Sequence, residues 1–214
     1  MKKNLFSMSL ILMLFSFVSS NLVTTEAQVL SEKKIAKLAK TEAKQMKKQG
    51  WLVNPGTLPM EQQLQNAYTK RYELDQDGYP KYIVGEGKSV AEAYDAAKLQ
   101  ANERAKQEIA SKTQTELVSE INSTVGNEQL SPEEAASVVE VIEASKSVIV
   151  QSIGRIIPLM ETHRVLDNKN IEVLVQVAYD SENIKKAAKR AIRDEMKKRG
   201  NDMHKKLDEY GFGK

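Results

Sequence analysis

Gly85-Glu86-Gly87-Lys88-Ser89 is the segment whose residue types come nearest to a recognisable chemistry. A Gly-x-Gly-Lys-Ser run ahead of a helix is how a phosphate-binding loop ends, with backbone N–H groups and a lysine around phosphate oxygens. The full pattern needs a further glycine upstream, and Tyr82 stands there. Glu86 would also face the phosphate, and no acidic second motif closes an apolar strand. The segment is therefore expected to be a strand-to-helix turn relaxed by its two glycines. Ser89 would cap the next helix, with Glu92 completing a capping box.

The second place to look is Glu161 and His163. Two residues apart on a strand, they share a face, and a carboxylate beside an imidazole can act as a general base. No nucleophile stands near them in the sequence. The other histidine, His204, lies in a basic tail, and two distant histidines make a poor metal site. Asp75-Gln76-Asp77-Gly78 is acid-rich but too short for a calcium loop, and reads as a turn. No Gly-x-Ser-x-Gly, His-Glu-x-x-His or dinucleotide glycine pattern occurs. The expectation is no catalytic, cofactor-binding or metal-binding residue, no cofactor and no enzyme. The alternative is an envelope hydrolase with a surface carboxylate pair, because such pairs assemble only in three dimensions.

The N-terminus carries an address. Lys2 and Lys3 precede an almost purely apolar run, Leu5 to Val18, and Thr25-Glu26-Ala27 fits a small-x-small cleavage site. Val18-Ser19-Ser20 offers a second site. The apolar run is short of the ~20 residues that a membrane-crossing helix needs. Residues 1–27 are therefore expected to be a removable signal. Residues 28–200 are expected to form one domain with a helical N-terminal extension, and 201–214 a flexible tail. The expected location is the periplasm or the outer membrane surface, with secretion as the other outcome.

The chain has no cysteine. No disulfide, thiolate nucleophile or lipidated cysteine is available to it. Aromatic residues make up 6 % of the chain, and the remainder is rich in Lys, Glu, Ala and Gln. This composition suits long helices with thin, alanine-lined contacts.

Charge is unevenly distributed. From 31 to 50 there are seven lysines against Glu32 and Glu42; from 181 to 206, ten Lys or Arg against four acids; from 86 to 143, twelve acids against five bases. If the two basic helices lay side by side they would make one positive face for anionic headgroups or polymer. If each packs near the acidic region, the charges cancel. Nucleic acid is not an expected partner, since the basic runs lack interleaved aromatic residues.

These side chains have to be positioned by regular elements. A helix is expected from Ser31 to Gly50, with Ile35, Leu38, Ala39 and Met46 on one face, then Trp51 as a core anchor and a turn at Asn54-Pro55-Gly56. Pro59 opens a second helix over Met60, Leu64, Ala67, Tyr68 and Tyr72. Tyr82 to Gly85 reads as a strand. The longest helix runs from Ser89 to about Asn122. Ser131-Pro132-Glu133-Glu134 starts another, extending toward Ser147. Val148–Leu166 and Ile171–Asp180 read as strands joined by a hairpin at Asp167–Asn170, with Pro158 marking a bulge or an edge. Ser181 caps a last helix that ends at Gly200. The fold class is α+β: a small three-stranded antiparallel sheet packed against long α-helices, with residues 81–85, 153–166 and 171–179 as strands, covered on one face.

The order strand, long alanine-rich helix, helix, hairpin, helix is similar to the exported bacterial LPP-type lipoprotein domain, a relative of the N-terminal domain of the flagellar protein FlgT. Tyr82-Ile83-Val84-Gly85-Glu86-Gly87, Ala91 to Lys98, Ala101 to Ala110 and the hairpin from Val165 to Tyr179 carry the resemblance, which spans roughly 81–191. The chain departs from lipoprotein members in lacking the lipidated cysteine. The resemblance implies a non-enzymatic cell-envelope protein. Its partners would be other envelope proteins or an anionic cell-wall or lipid surface.

Overall fold

A computed structural model describes residues 31–127, 130–200 and 202–209, so the expected signal, residues 1–27, lies outside them. In chain order the elements are α1 (Glu32–Lys48), α2 (Met60–Tyr72), β1 (Tyr82–Ala91), α3 (Tyr94–Gly126), α4 (Pro132–Ala144), α5 (Lys146–Ser152), β2 (Ile157–Val165), β3 (Ile171–Asp180), α6 (Ser181–Lys198) and α7 (Met203–Glu209). The strands form one antiparallel sheet in the order β1-β3-β2. The chain is α+β, as its patterning requires.

The sheet is covered on both faces, not one. Ile83, Val173, Val175 and Val177 point to one side, where α3, α4, α5 and α6 close the larger core. Val84, Leu174 and Ala178 point to the other side, where α1, α2 and Trp51 lie over them. Alternation alone put half of β3 toward solvent. Leu174 and Ala178 are the residues that bring a second layer down onto it.

Gly85-Glu86-Gly87-Lys88-Ser89 is not a turn. β1 runs straight through it to Ala91, and Ser89 is a buried strand residue whose hydroxyl donates to Gln100 Oε1 at 2.6 Å. The helix begins later, at Tyr94, so there is no capping box with Glu92. The glycines serve a close approach. A Cβ on Gly85 would stand 2.2 Å from the Ala105 carbonyl oxygen, and one on Gly87 1.8 Å from that of Ala101. Ala97, Ala101 and Ala105 are fully buried on the facing side of α3. Small residues on both partners let strand and helix backbones nearly touch.

That contact also settles an exposed sheet edge. Among the described residues β1 has no neighbouring strand on its outer side, and α3 supplies partners for its free backbone groups. Lys112 Nζ donates to Val84 O (2.7 Å), Glu108 accepts from Glu86 N (2.6 Å) and Arg104 donates to Lys88 O (2.5 Å). Successive positions four apart on α3 thus meet alternate residues of the strand. An unpaired edge invites pairing with another chain. Combined replacement of Arg104, Glu108 and Lys112 by alanine is expected to give concentration-dependent association, read by light scattering. A triple variant that stays monomeric at the solubility limit would show that these side chains do not guard the edge.

Three further boundaries differ from expectation. Val148–Ser152 belongs to helix α5, and β2 starts only at Ile157. Burial of Ile149 in the larger core overrides the β-branched bias of that run. The cap of α6 is Asp180, whose carboxylate accepts from Asn183 N, while Ser181 is helical and donates to Pro80 O. α4 ends at Ala144, and Ser145 separates it from α5.

Other signals hold. Ser131 and Glu134 form the capping box of α4, with Pro132 at its first position. The register of β2 shifts between Pro158 and Met160 on an edge strand. That bulge leaves both Leu159 and Met160 buried in the outer clusters. The flexible tail expected over 201–214 is not what residues 203–209 form: they are helix α7, held because Leu207 is buried in the larger core.

Candidate functional site

Three places gather polar side chains. The first surrounds Glu161 and His163 on β2. The loop after α1 crosses the β2 edge, where Leu52 and His163 pair through both backbone hydrogen bonds. The crossing brings Asn54 to the start of α3. There the Glu161 carboxylate accepts from the Tyr94 hydroxyl, from Asn54 Nδ2 (3.2 Å) and from Lys98 Nζ (2.9 Å). The buried Gln63 of α2 accepts from Glu161 N (2.8 Å). Glu161 thus ties four segments together. His163 does not join it: its ring meets Tyr94 edge-on at 5.4 Å, and its buried Nδ1 has no hydrogen-bond partner among the described residues. The carboxylate–imidazole pair is not hydrogen-bonded, and the knot is a fastening between layers.

Burial, reinforced by the Glu161 carboxylate, pushes the Tyr94 hydroxyl from 10.0 up to about 12, with Asn54 opposing. Burial followed by Glu42 does the same to Tyr68, also to about 12. Each phenol holds its proton more tightly folded than unfolded. Their contribution to stability is complete below pH 10 and is lost as pH rises through about 12. In an absorbance titration, Tyr94→Phe is expected to remove one phenol's share of the amplitude near pH 12. An unchanged late amplitude in that variant would refute the assignment.

The second place is an open cleft of about 520 Å³ between α1 and the outer sheet face, bordered by Glu42, Trp51, Tyr68, Glu86, Lys88 and Arg164 among others. Its acids are engaged. Glu42 accepts from Tyr68, Glu86 from Gln176 (2.8 Å), and the buried Glu172 behind them from Arg164 (2.6 Å), with Lys88 at 3.6 Å. Arg164 also lies over the Trp51 ring at 4.7 Å. Among the described residues no group of three or more His, Asp or Glu is placed to hold a metal ion.

The third place is the outside of α1. Ile35, Ala39, Ala43 and Met46 turn inward, and all seven lysines of the helix are exposed. None of them forms an ion pair among the described residues. The basic helix α6 behaves differently. It sits against α3, where Lys185 pairs with Glu116 (2.9 Å) and Lys189 with Glu120, while Arg193 pairs with Asp208 of α7. The two basic helices lie on opposite faces of the sheet and do not merge. Charge on α6 is partly cancelled; charge on α1 is not.

No family model matches the chain, and no curated protein or solved structure matches it either. Among the described residues no helix is long and apolar enough to cross a membrane.

Proposed function

We propose that this protein is a non-enzymatic, exported component of the cell envelope, acting through contacts with other envelope proteins or with the cell wall. The observation that carries the proposal is the location of unengaged charge. In the knot around Glu161 and in the outer cleft, the carboxylates already hold partners from the chain itself. Seven lysines without an ion pair among the described residues stand together on the convex outer side of α1, where a reaction has no walls to exclude water but a contact has open access. The signal-like residues 1–27 and the resemblance to the LPP-type domain over 81–191 point the same way.

The test is fractionation of expressing cells with N-terminal sequencing, followed by cross-linking in the intact envelope. The expected result is a chain in the envelope fraction starting at Asn21 or Gln28, cross-linked to envelope material. A cytoplasmic chain retaining Met1 would overturn the reading.

A further inference from the structure

We infer that the lysine face of α1 is a docking surface for an anionic lipid bilayer, held by charge alone; the inference rests on the envelope reading only for where the protein meets such a bilayer. At 100° per residue, Lys33, Lys34, Lys37, Lys40, Lys44, Lys47 and Lys48 fall within an arc of ~140° on the side opposite the buried stripe. The helix is about 25 Å long, so the lysines form one continuous strip. The only acids on α1 are Glu32 and Glu42, and Glu42 is turned to Tyr68, so the helix carries a net +5.

The shape of the strip selects the partner. It is convex, with no groove to enclose a polymer and no aromatic platform for a base or sugar. Every cation is a lysine, a point charge with no fork for bidentate recognition of one defined phosphate. Such a strip matches a flat field of headgroup charge. Deep insertion is not available to it, because Ala39, Ala43 and Met46 are already buried against Trp51, Met60, Leu64 and Met160, leaving Leu38, 42 % exposed and not on the buried face expected for it, as the one large apolar side chain of α1 in the open.

The rest of the domain does not form a second such strip. On the far side of the sheet α4 has Glu133, Glu134, Glu140 and Glu143 and no base, a net −4, while α6 in the same core has seven bases against three acids, a net +4, so the two helices offset each other. The field of a bilayer therefore acts chiefly on α1.

The test is co-sedimentation of the protein, as recovered from expressing cells, with vesicles of phosphatidylcholine alone or with one part in three phosphatidylglycerol. Salt is set at ~10 mM or ~1 M, between which the screening length falls from ~30 to ~3 Å. The expected result is recovery with anionic vesicles at low salt only. Each lysine near such a surface is worth about five-fold in partitioning. A variant with Lys37, Lys40, Lys44 and Lys47 all changed to glutamine is expected to lose at least ~100-fold at unchanged helical content, and the four-arginine variant to keep binding. Changing the exposed α6 residues Lys186 and Arg190 to glutamine is expected to change little.

Equal recovery with neutral and anionic vesicles, or an unaffected glutamine variant, would overturn the inference. So would soluble polyphosphate binding under conditions where vesicles recover nothing, since the partner would then be a polymer. These outcomes concern the lysine face alone, whereas the envelope reading is decided separately by fractionation.

Discussion

Gly87→Ala is expected to cost at least ~3 kcal/mol, at or beyond the upper end of ordinary overpacking. The added Cβ would stand 1.8 Å from the Ala101 carbonyl oxygen and 2.6 Å from the Ala105 backbone nitrogen. Neither is the end of a flexible side chain, so α3 itself must move off β1. That movement would open the fully buried row Ala97, Ala101, Ala105 and Ile109, and pull Arg104, Glu108 and Lys112 from the strand edge they cover. Against a typical domain stability of 5–15 kcal/mol, this removes a large share. Gly126→Ala is the control. Gly126 closes α3, and nothing lies within 4 Å of where its Cβ would be. There the substitution is expected to gain up to ~0.5 kcal/mol, through better helix propensity and a less flexible unfolded chain. Urea denaturation followed by circular dichroism separates the two. A Gly87→Ala chain within 1 kcal/mol of the parent would mean that α3 does not lie against β1 as described.

The same contact shows where sequence patterning stops being legible. In Gly85-Glu86-Gly87-Lys88-Ser89 the small residues alternate with large ones, which is the period of a strand. Read locally, two glycines and a serine before a helix suggest a turn. Read against the every-fourth alanines of α3, they are one half of a matched pair of small stripes. Strands and helices with one strong periodicity, such as β3, α4 and α6, were plain from their own residues. Val148-Ile149-Val150 was not, because β-branched propensity is weak where a single buried Ile149 decides the outcome. The second sheet layer was half visible in Leu174 and Ala178, although Gln176 and Glu172 between them imitate a solvated face. The knot around Glu161 left no local trace. Asn54, Tyr94 and Glu161 lie 40 and 67 residues apart, and only the crossing of Leu52 over β2 brings them together. The seven lysines of α1 were evident at once, whereas their lack of counter-ions depended on which helix packs beside which.

Arg164→Met is expected to destabilise the protein by about 2–3 kcal/mol, through the charge it leaves behind more than through its own lost contacts. The Glu172 side chain is 9 % exposed and takes its close partner from Arg164 Nε at 2.6 Å; Lys88, 57 % exposed, stands at 3.6 Å. Removing one member of a buried pair strands the other without compensation. Arg164 is itself 30 % exposed, which puts the effect below the fully buried range. The guanidinium also spans the outer layer, lying over Trp51 at 4.7 Å and donating to the Gln49 carbonyl at the end of α1 (3.2 Å). Its loss is therefore expected to loosen the seat of the lysine-bearing helix. A four-chain cycle separates these contributions. If the stranded carboxylate dominates, adding Glu172→Met to Arg164→Met restores stability to within ~1 kcal/mol of the parent, because a well-packed apolar pair replaces the ionic one. If the cover over Trp51 and the tie to Gln49 dominate, the double variant stays as unstable as the single one. Urea midpoints of the four chains, with near-ultraviolet circular dichroism reporting on the single Trp51, distinguish the two outcomes. A single variant losing less than 1 kcal/mol would show that Glu172 finds water or Lys88 readily, and that the pair holds the outer layer only weakly.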